Sequence, residues 1–345
     1  MAEENFYLDN LDLKFQLEQV IDWEKIIAQK EDMDSDDCPY DNWEEAKATY
    51  LEMMEDPIGS LAGQRIAPRA EEVDQVGCQF KDGEVIFPDG LERNLKDLCD
   101  AQIMGLTIPR KFGGLGFPET VYMAAIETIS RADASLMNFF GLQGGIAETI
   151  NHFASDELKD QYLPGMAEGT LTGAMALTEA DAGSDLANVQ TRAGGFEAAH
   201  DPETGTWSLT GTKRFITNGC GHVILVLARS EDPDRKAGGR GLSFFLVEKS
   251  DAVKVRRIEH KLGINGSPTC ELYFDNAPGY LIGKRGHGLA RYTSWLMLAA
   301  RLAVAAQAQG ISEAAVKAAH KYADEREQFG KPIRQFPQVS AILQR

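Results

Sequence analysis

The sequence has little that would direct it to a membrane or out of the cell. Its first residues, MAEENFYLDNLDLKF, contain no basic stretch followed by an apolar run, which a secretory signal requires. No run of about 18 uncharged apolar residues occurs, and the best candidate, 295–311, contains Arg301. The five cysteines form no CxxC pair and are odd in number, so we predict reduced thiols. A cytoplasmic protein without a membrane span is therefore predicted.

Motifs for several common chemistries are also missing. The six histidines form neither HExxH nor a cysteine–histidine zinc pattern, so no metal site is predicted. The chain has no GxxxxGK[ST] phosphate loop and no GxSxG nucleophile turn. A GxGxxG motif is missing too, since 113–116 (GGLG) lacks the third glycine and the preceding strand. Hydrolase, nucleoside triphosphatase and Rossmann chemistry are disfavoured.

Basic residues are outnumbered, with 35 Lys and Arg against 53 Asp and Glu in 345 residues, a formal net charge of −18. This balance argues against nucleic-acid binding, which needs a basic face to displace counterions from phosphates. Residues 1–56 alone hold 18 Asp and Glu against four Lys. We interpret this part as an acidic N-terminal extension, more simply a solvated segment than a docking arm.

The pattern along the chain is helical, then β, then helical again. Short apolar or β-branched runs separated by turns occur at 174–177, 207–209, 223–227, 242–247 and 272–274. Segregated elements without βαβ alternation predict an α+β multidomain protein. The expected parts are an acidic extension (1–60), a helical N-terminal domain (61–170), a central antiparallel β domain (171–285) and the start of a C-terminal helical bundle (286–345). Because apolar helical positions continue to the last residues, we expect further residues or another chain to complete the bundle.

Three segments carry residues suited to ligand binding. Segment 177–185 (LTEADAGSD) combines small residues with two hydroxyls, although alone it is more simply a turn. Segment 211–219 (GTKRFITNG) places Phe215 and Thr217 on one side of a strand, where a flat heterocycle could stack; the plainer interpretation is a strand ending in an Asn-Gly turn. In segment 322–332 (YADEREQFGKP), Arg326 could bind a pyrophosphate or simply complement the helix dipole.

Together and in this order, the segments resemble the acyl-CoA dehydrogenase family of flavoproteins. Residues 178–185 resemble that family's TEPxAGSD signature, with Ala180 in place of the proline. Residues 211–219 resemble its GxKxxITNG strand, and 261–272 (KLGINGSPTCEL) its KxGxxGSPTxxL segment. The YxxxRxQFGKPI and IPxxxGGxG runs are matched at 322–331 and 108–116. Residues 1–60 resemble the N-terminal extension of the longer bacterial branch.

The resemblance implies a fold with FAD between the β domain and the helices. It implies that Arg326 and Phe329 reach the FAD of a neighbouring subunit, so a homo-oligomer is expected. Acyl-CoA would be bound by Ser184 and by Arg301, close to the thioester end. The FAD contacts implied within the chain are Met175, Leu177, Thr178, Gly183, Ser184, Phe215 and Thr217.

The implied reaction is FAD-dependent α,β-dehydrogenation of an acyl-CoA thioester to the 2-enoyl-CoA, with electrons passed to electron-transferring flavoprotein. A desolvated glutamate would take the α-proton. A minority of the family carry it where this chain has Ala300, so we assign no catalytic residue and expect the base beyond Arg345 or on a partner chain. Two alternatives stay open: a catalytically silent FAD-binding or scaffold subunit that needs a partner chain, and an acyl-CoA oxidase.

Overall fold

The computed structural model describes residues 4–35, 38–193, 205–231 and 236–344, and their elements follow the predicted order helical, β, helical. The N-terminal helices are α1 (Leu11–Phe15), α2 (Trp23–Lys30), α3 (Trp43–Met53), α4 (Ala67–Val76), α5 (Asp89–Asp100), α6 (Glu119–Ala132), α7 (Ala134–Phe153) and α8 (Asp156–Glu168). A hairpin of β1 (Gln79–Lys81) and β2 (Glu84–Ile86) lies between α4 and α5. The prediction of an α+β multidomain protein is confirmed.

The central strands are β3 (Gly173–Ala176), β4 (Arg192–Ala193), β5 (Trp207–Thr217), β6 (Val223–Arg229), β7 (Leu242–Glu248), β8 (Val253–Ile258) and β9 (Thr269–Ile282). The C-terminal part has α9 (Ser294–Glu325), a hairpin of β10 (Glu327–Gln328) and β11 (Lys331–Pro332), and α10 (Pro337–Leu343). In the described part of the chain, no helix combines the length and the apolar character needed to cross a membrane.

The first 60 residues contribute to the helical core, although they were predicted as a solvated extension. Phe6, Trp23 and Tyr50 are buried in one core with residues of α6 and α7. The buried carboxylate of Glu31 accepts hydrogen bonds from both terminal nitrogens of Arg110, at 2.7 and 2.9 Å, and from the Tyr50 hydroxyl at 2.5 Å. The apolar residues of this segment are spaced to pack inward, although its net charge is strongly negative.

The central strands form one sheet in which antiparallel pairing predominates. Its order is β3-β6-β4-β5-β9-β7, with β8 paired to β9; because β7 also pairs with β6, the sheet closes on itself. The pairing of β3 with β6 is parallel, with Gly173 opposite Val223, which the prediction of an antiparallel domain did not include. Every residue of β6 is buried, which accounts for its continuous apolar run.

Helix α9 is the long element that joins the helical layer to the β domain. It has 32 residues and packs against α6 and α7. At its crossing with α6, a Cβ atom on Gly310 would lie 2.2 Å from the carbonyl oxygen of Glu127, so only glycine permits this approach. The crossing holds the N-terminal half of α9 beside β3 and β5, where the cavities described next are found.

Candidate functional site

A buried ion pair holds two of the predicted ligand-binding segments together. The Lys213 ammonium on β5 donates to Glu179 Oε1 at 2.8 Å and to the carbonyl oxygen of Leu177 at 2.9 Å. The Glu179 carboxylate also accepts the backbone N–H groups of Gln190 and Thr191, at 2.7 and 2.9 Å. Burial lowers the pKa of Lys213 to about 8. The nearby Glu179 carboxylate acts in the opposite direction, because it favours the charged ammonium. These contacts fix the loop that follows β3 against β5.

Strand β5 leaves its regular register directly after Lys213. Its pairing with β9 shifts between Lys213 and Ile216, and Phe215 has a φ of +60°, a conformation that bulky residues rarely adopt. The Phe215 side chain is 54% exposed, and the Arg214 guanidinium lies over its ring, 5.2 Å from the centroid. The irregularity therefore presents an aromatic ring to the surface instead of the core. Backbone strain of this kind concentrates at ligand-binding sites.

Asn218 occupies a second strained position, but there the side chain has a structural partner. Its φ is +51°, its side chain is buried, and its Nδ2 donates to the carbonyl oxygen of Gly173 at 2.9 Å. Its backbone N–H donates to the carbonyl oxygen of Pro268 at 2.9 Å. These bonds join the end of β5 to β3 and to the residues before β9, and so position Thr217 between them.

The residues predicted to contact a flavin from within the chain converge on one cleft of about 500 Å³, a size typical of ligand sites. Among the described residues, the hydroxyls of Thr178, Ser184 and Thr217 make no hydrogen bond. Apolar walls with available polar groups suit a flat heterocycle that has polar edges, so the residues present fit a flavin. We define as the motif cleft the space lined by Leu142, Met175, Leu177, Thr178, Gly183, Ser184, Leu186, Phe215, Ile216, Thr217, Met297 and Arg301.

A second cavity, of about 410 Å³, continues from the motif cleft between α6, α7 and α9. We define it as the apolar cavity, because side chains such as Met123, Met137, Leu296 and Val304 make up most of its wall. The residues common to both spaces are Leu142, Met175, Thr217, Met297 and Arg301. Within the described part of the chain, the Arg301 guanidinium has no ion-pair partner, so its donors face both spaces unengaged.

Glu119, in the first turn of α6, is the one carboxylate among the described residues that line either space. Desolvation, together with repulsion from the neighbouring carboxyl of Glu148 on α7, raises the pKa of Glu119 above its ordinary value. Sequence reasoning missed Glu119, because nothing in its local sequence indicates that the side chain faces a cavity. Ala300 lines the same cavity, so that position supplies no carboxylate.

Arg326 and Phe329 are not brought into the motif cleft. Both are exposed beyond the C-terminal end of α9, and Phe329 is 94% exposed. At a rise of 1.5 Å per residue, the end of α9 lies roughly 36 Å along the helix axis from Arg301, and both residues follow that end. Their contact with the FAD of a neighbouring subunit stays a prediction.

Three models of one family match the chain in consecutive segments. The N-terminal domain of acyl-CoA dehydrogenase matches residues 49–170, the middle domain matches 174–277 and the C-terminal domain matches 286–345. The segment at 174–277 includes most of the motif cleft, and most of the wall of the apolar cavity comes from the two helical segments.

Individual proteins show the same similarity. The 3-methylmercaptopropionyl-CoA dehydrogenase of Ruegeria pomeroyi is 35% identical over 333 residues, covering 87% of this chain and 55% of the relative. An acyl-CoA dehydrogenase of Bacillus subtilis is 36% identical over 286 residues, covering 81% of this chain and 70% of the relative. The solved structure of butyryl-CoA dehydrogenase from Megasphaera elsdenii has a TM-score of 0.73 at 28% identity, over 86% of this chain and 73% of that one. The chain thus spans about half the length of the first relative.

Proposed function

The chain belongs to the acyl-CoA dehydrogenase family, and from that premise we propose that it binds FAD in the motif cleft and an acyl-CoA thioester across the apolar cavity. The reaction proposed is α,β-dehydrogenation of the thioester to the 2-enoyl-CoA. The observation that carries this proposal is the continuity of the two spaces through shared residues. A flat cofactor in one space and an acyl chain in the other would meet at Met175 and Thr217.

In this proposal the chain binds and orients the cofactor and the thioester and excludes water from them. FAD, when bound, supplies the hydride acceptor. The exposed ring of Phe215 lies against the heterocycle, and the hydroxyls of Thr178 and Thr217 donate hydrogen bonds to its polar edge. Ser184 and Arg301 bind acyl-CoA, and the positive charge of Arg301 stabilises negative charge developing at the thioester end.

The α-proton needs a base, and we propose that a glutamate beyond Arg345 or on a partner chain takes it. Ala300 occupies the cavity position where a base would be expected on α9. The carboxylates nearest to Arg326, namely Asp324, Glu325 and Glu327, are exposed at the far end of that helix. Electrons are proposed to leave to electron-transferring flavoprotein, and Arg326 and Phe329 to complete the FAD site of a neighbouring subunit in a homo-oligomer.

The visible absorption of the flavin tests this proposal. Purified protein is titrated with FAD, then anaerobically with straight-chain acyl-CoA thioesters. We expect saturable FAD binding and a change in the flavin spectrum on thioester addition; failure of either would overturn the proposal. Bleaching by the chain alone would show that the base lies within it. Formation of hydrogen peroxide in air would favour an acyl-CoA oxidase. If no thioester bleaches the bound flavin even when a partner chain is added, the result would favour a catalytically silent subunit.

A matched pair of variants localises the flavin. Thr217→Val preserves the shape of a residue in the motif cleft but removes its hydroxyl, whereas Thr212→Val makes the same change on β5 outside the cleft. Loss of one hydrogen bond should weaken FAD binding about five-fold in Thr217→Val. Equal FAD affinities in the two variants would place the flavin elsewhere.

A further inference from the structure

We propose that a cavity among the first helices binds a small organic cation, namely a primary ammonium group on an alkyl chain. The cavity has a volume of about 390 Å³, which is within the range of small-molecule sites. It shares no residue with the motif cleft or the apolar cavity, so the inference does not depend on the proposed function. We define as the acidic cavity the space lined by Tyr7, Glu18, Ala48, Leu51, Glu52, Glu55 and Asp56.

The hydroxyl of Tyr7 is the observation that points to a ligand. Tyr7 is 1% exposed, and its hydroxyl oxygen is buried without a hydrogen-bond partner in the described part of the chain. A buried hydroxyl without a partner is unfavourable, so such groups are usually satisfied by protein, water or a ligand. Burial, and then the negative charges of Glu18 and Glu55, raise the pKa of Tyr7 to about 12, which keeps the hydroxyl protonated. The carboxylates that act on the hydroxyl are thus ones that line the acidic cavity.

Negative charge on the wall of the acidic cavity favours a cation. The carboxylates of Glu52, Glu55 and Asp56 lie at exposed positions and have no hydrogen-bond or ion-pair partner among the described residues. Glu18 is paired with Lys14, whose ammonium also lies 5.5 Å from the centroid of the buried tyrosine ring. One ammonium group of the chain is therefore already stabilised beside this wall, although it does not engage the tyrosine hydroxyl.

The rest of the wall suits an organic cation better than a metal ion. Among the residues that the structure describes, no group of three or more acidic, histidine or cysteine side chains is placed to hold a metal ion. Ala48 and Leu51 add apolar surface, which an alkyl chain can cover. An ammonium group has three N–H donors, so it can donate to a carboxylate and to the oxygen of the Tyr7 hydroxyl at the same time.

Calorimetric titration of the full chain at low salt tests the inference. The probes are n-butylammonium, 1-butanol, which lacks the charge, tetramethylammonium, which has the charge but no N–H donor, and Ca²⁺. We expect n-butylammonium to bind about ten-fold more tightly than 1-butanol or tetramethylammonium, and its affinity to fall as salt is added. Equal binding of n-butylammonium and 1-butanol, or binding of Ca²⁺ alone, would overturn the inference.

Two variants separate ligand binding from a role in folding. Tyr7→Phe removes only the hydroxyl and should weaken n-butylammonium binding about five-fold, which corresponds to one hydrogen bond. Because that hydroxyl has no partner in the described part of the chain, the melting temperature without ligand should stay the same or rise. Glu55→Gln should weaken binding about ten-fold, whereas Glu44→Gln, an exposed first-turn substitution on α3 outside the cavity, should leave it unchanged. Unchanged affinity in both Tyr7→Phe and Glu55→Gln would overturn the inference, whatever the stability of the two variants.

Discussion

Lys213 and Glu179 form an ion pair of 2.8 Å whose lysine side chain has no exposed surface. Removing one partner of a buried pair leaves the other charge without compensation, so Lys213→Met should lower the free energy of unfolding by about 3–5 kcal/mol. Urea denaturation measures this change. Lys254→Met, at an exposed position on β8, serves as the control and should stay within about 0.5 kcal/mol of the wild type. Equal stability of the two variants would show that the pair does not hold the segments together.

Phe215 and Asn218 both have a positive φ but different structural roles, and asparagine tolerates this conformation better than phenylalanine does. In Phe215→Gly the strain is relieved and an exposed ring is lost, so unfolding stability should be unchanged or rise by up to about 1 kcal/mol. The same substitution should weaken FAD binding about ten-fold, because aromatic contacts contribute roughly 0.5–1.5 kcal/mol beyond buried area. Thermal unfolding and FAD titration of one preparation give both values.

Asn218→Gly provides the matched comparison. Glycine also adopts a positive φ readily at this position, but the substitution removes the buried hydrogen bond from Asn218 Nδ2 to the carbonyl oxygen of Gly173. We expect a loss of about 1–3 kcal/mol in unfolding stability. Destabilisation of the same size in Phe215→Gly would mean that the exposed ring contributes to folding, and the ligand-binding role would lose its support.

The crossing of α6 and α9 predicts a steric penalty at Gly310. Alanine would ordinarily favour a helix by about 1 kcal/mol, but here its Cβ atom meets backbone, which cannot rotate away. Gly310→Ala should therefore lower the free energy of unfolding by about 1–3 kcal/mol. At Gly263, a Cβ atom would meet nothing within 4 Å, and Gly263→Ala should be neutral. A stabilised Gly310→Ala would contradict the close approach.

The buried carboxylate of Glu31 predicts a dependence on pH. Burial alone would raise its pKa, but hydrogen bonds from Arg110 and Tyr50 outweigh it and hold the pKa of Glu31 below its ordinary value of 4.5. The stability it contributes is present above that ordinary value and is lost as the pH falls through the lowered value. Glu31→Gln should thus be less stable near neutral pH by about 1–3 kcal/mol, with the difference shrinking in acid. A difference that persists at low pH would contradict the charged hydrogen bonds; Glu24→Gln, exposed on α2, should show no difference throughout.

The residues predicted from the two central signature segments lie together in the motif cleft, because they come from short local segments at the ends of β3 and β5. Their contact with a flavin stays a prediction. Strand β8 was missed, since charged residues alternate along it and only Val253 is buried. Glu119 was missed for a different reason: whether a helical carboxylate faces solvent or a cavity depends on α7 and α9, which are distant in sequence. The same holds for Lys213, whose partner lies 34 residues earlier.

The N-terminal segment was misjudged because its burial depends on contacts with distant helices. Net charge describes a whole stretch, whereas packing depends on which positions are apolar. The inward spacing of Phe6 and Trp23 becomes informative only when α6 and α7 are available to receive them.

The placement of Gly310 ties the first turns of the chain to the same helix as Arg301. Helix α9 is about 48 Å long at 1.5 Å per residue, and Gly310, where its backbone lies close to that of α6, is near its middle. On the C-terminal side of that crossing, Lys317 lies 2.9 Å from Asp9, and Glu313 accepts from Asn10 at 2.7 Å. Arg301 lies on the N-terminal side of the crossing. Because one continuous helix carries both the anchors and Arg301, the first turns of the chain support a site whose walls they do not themselves form.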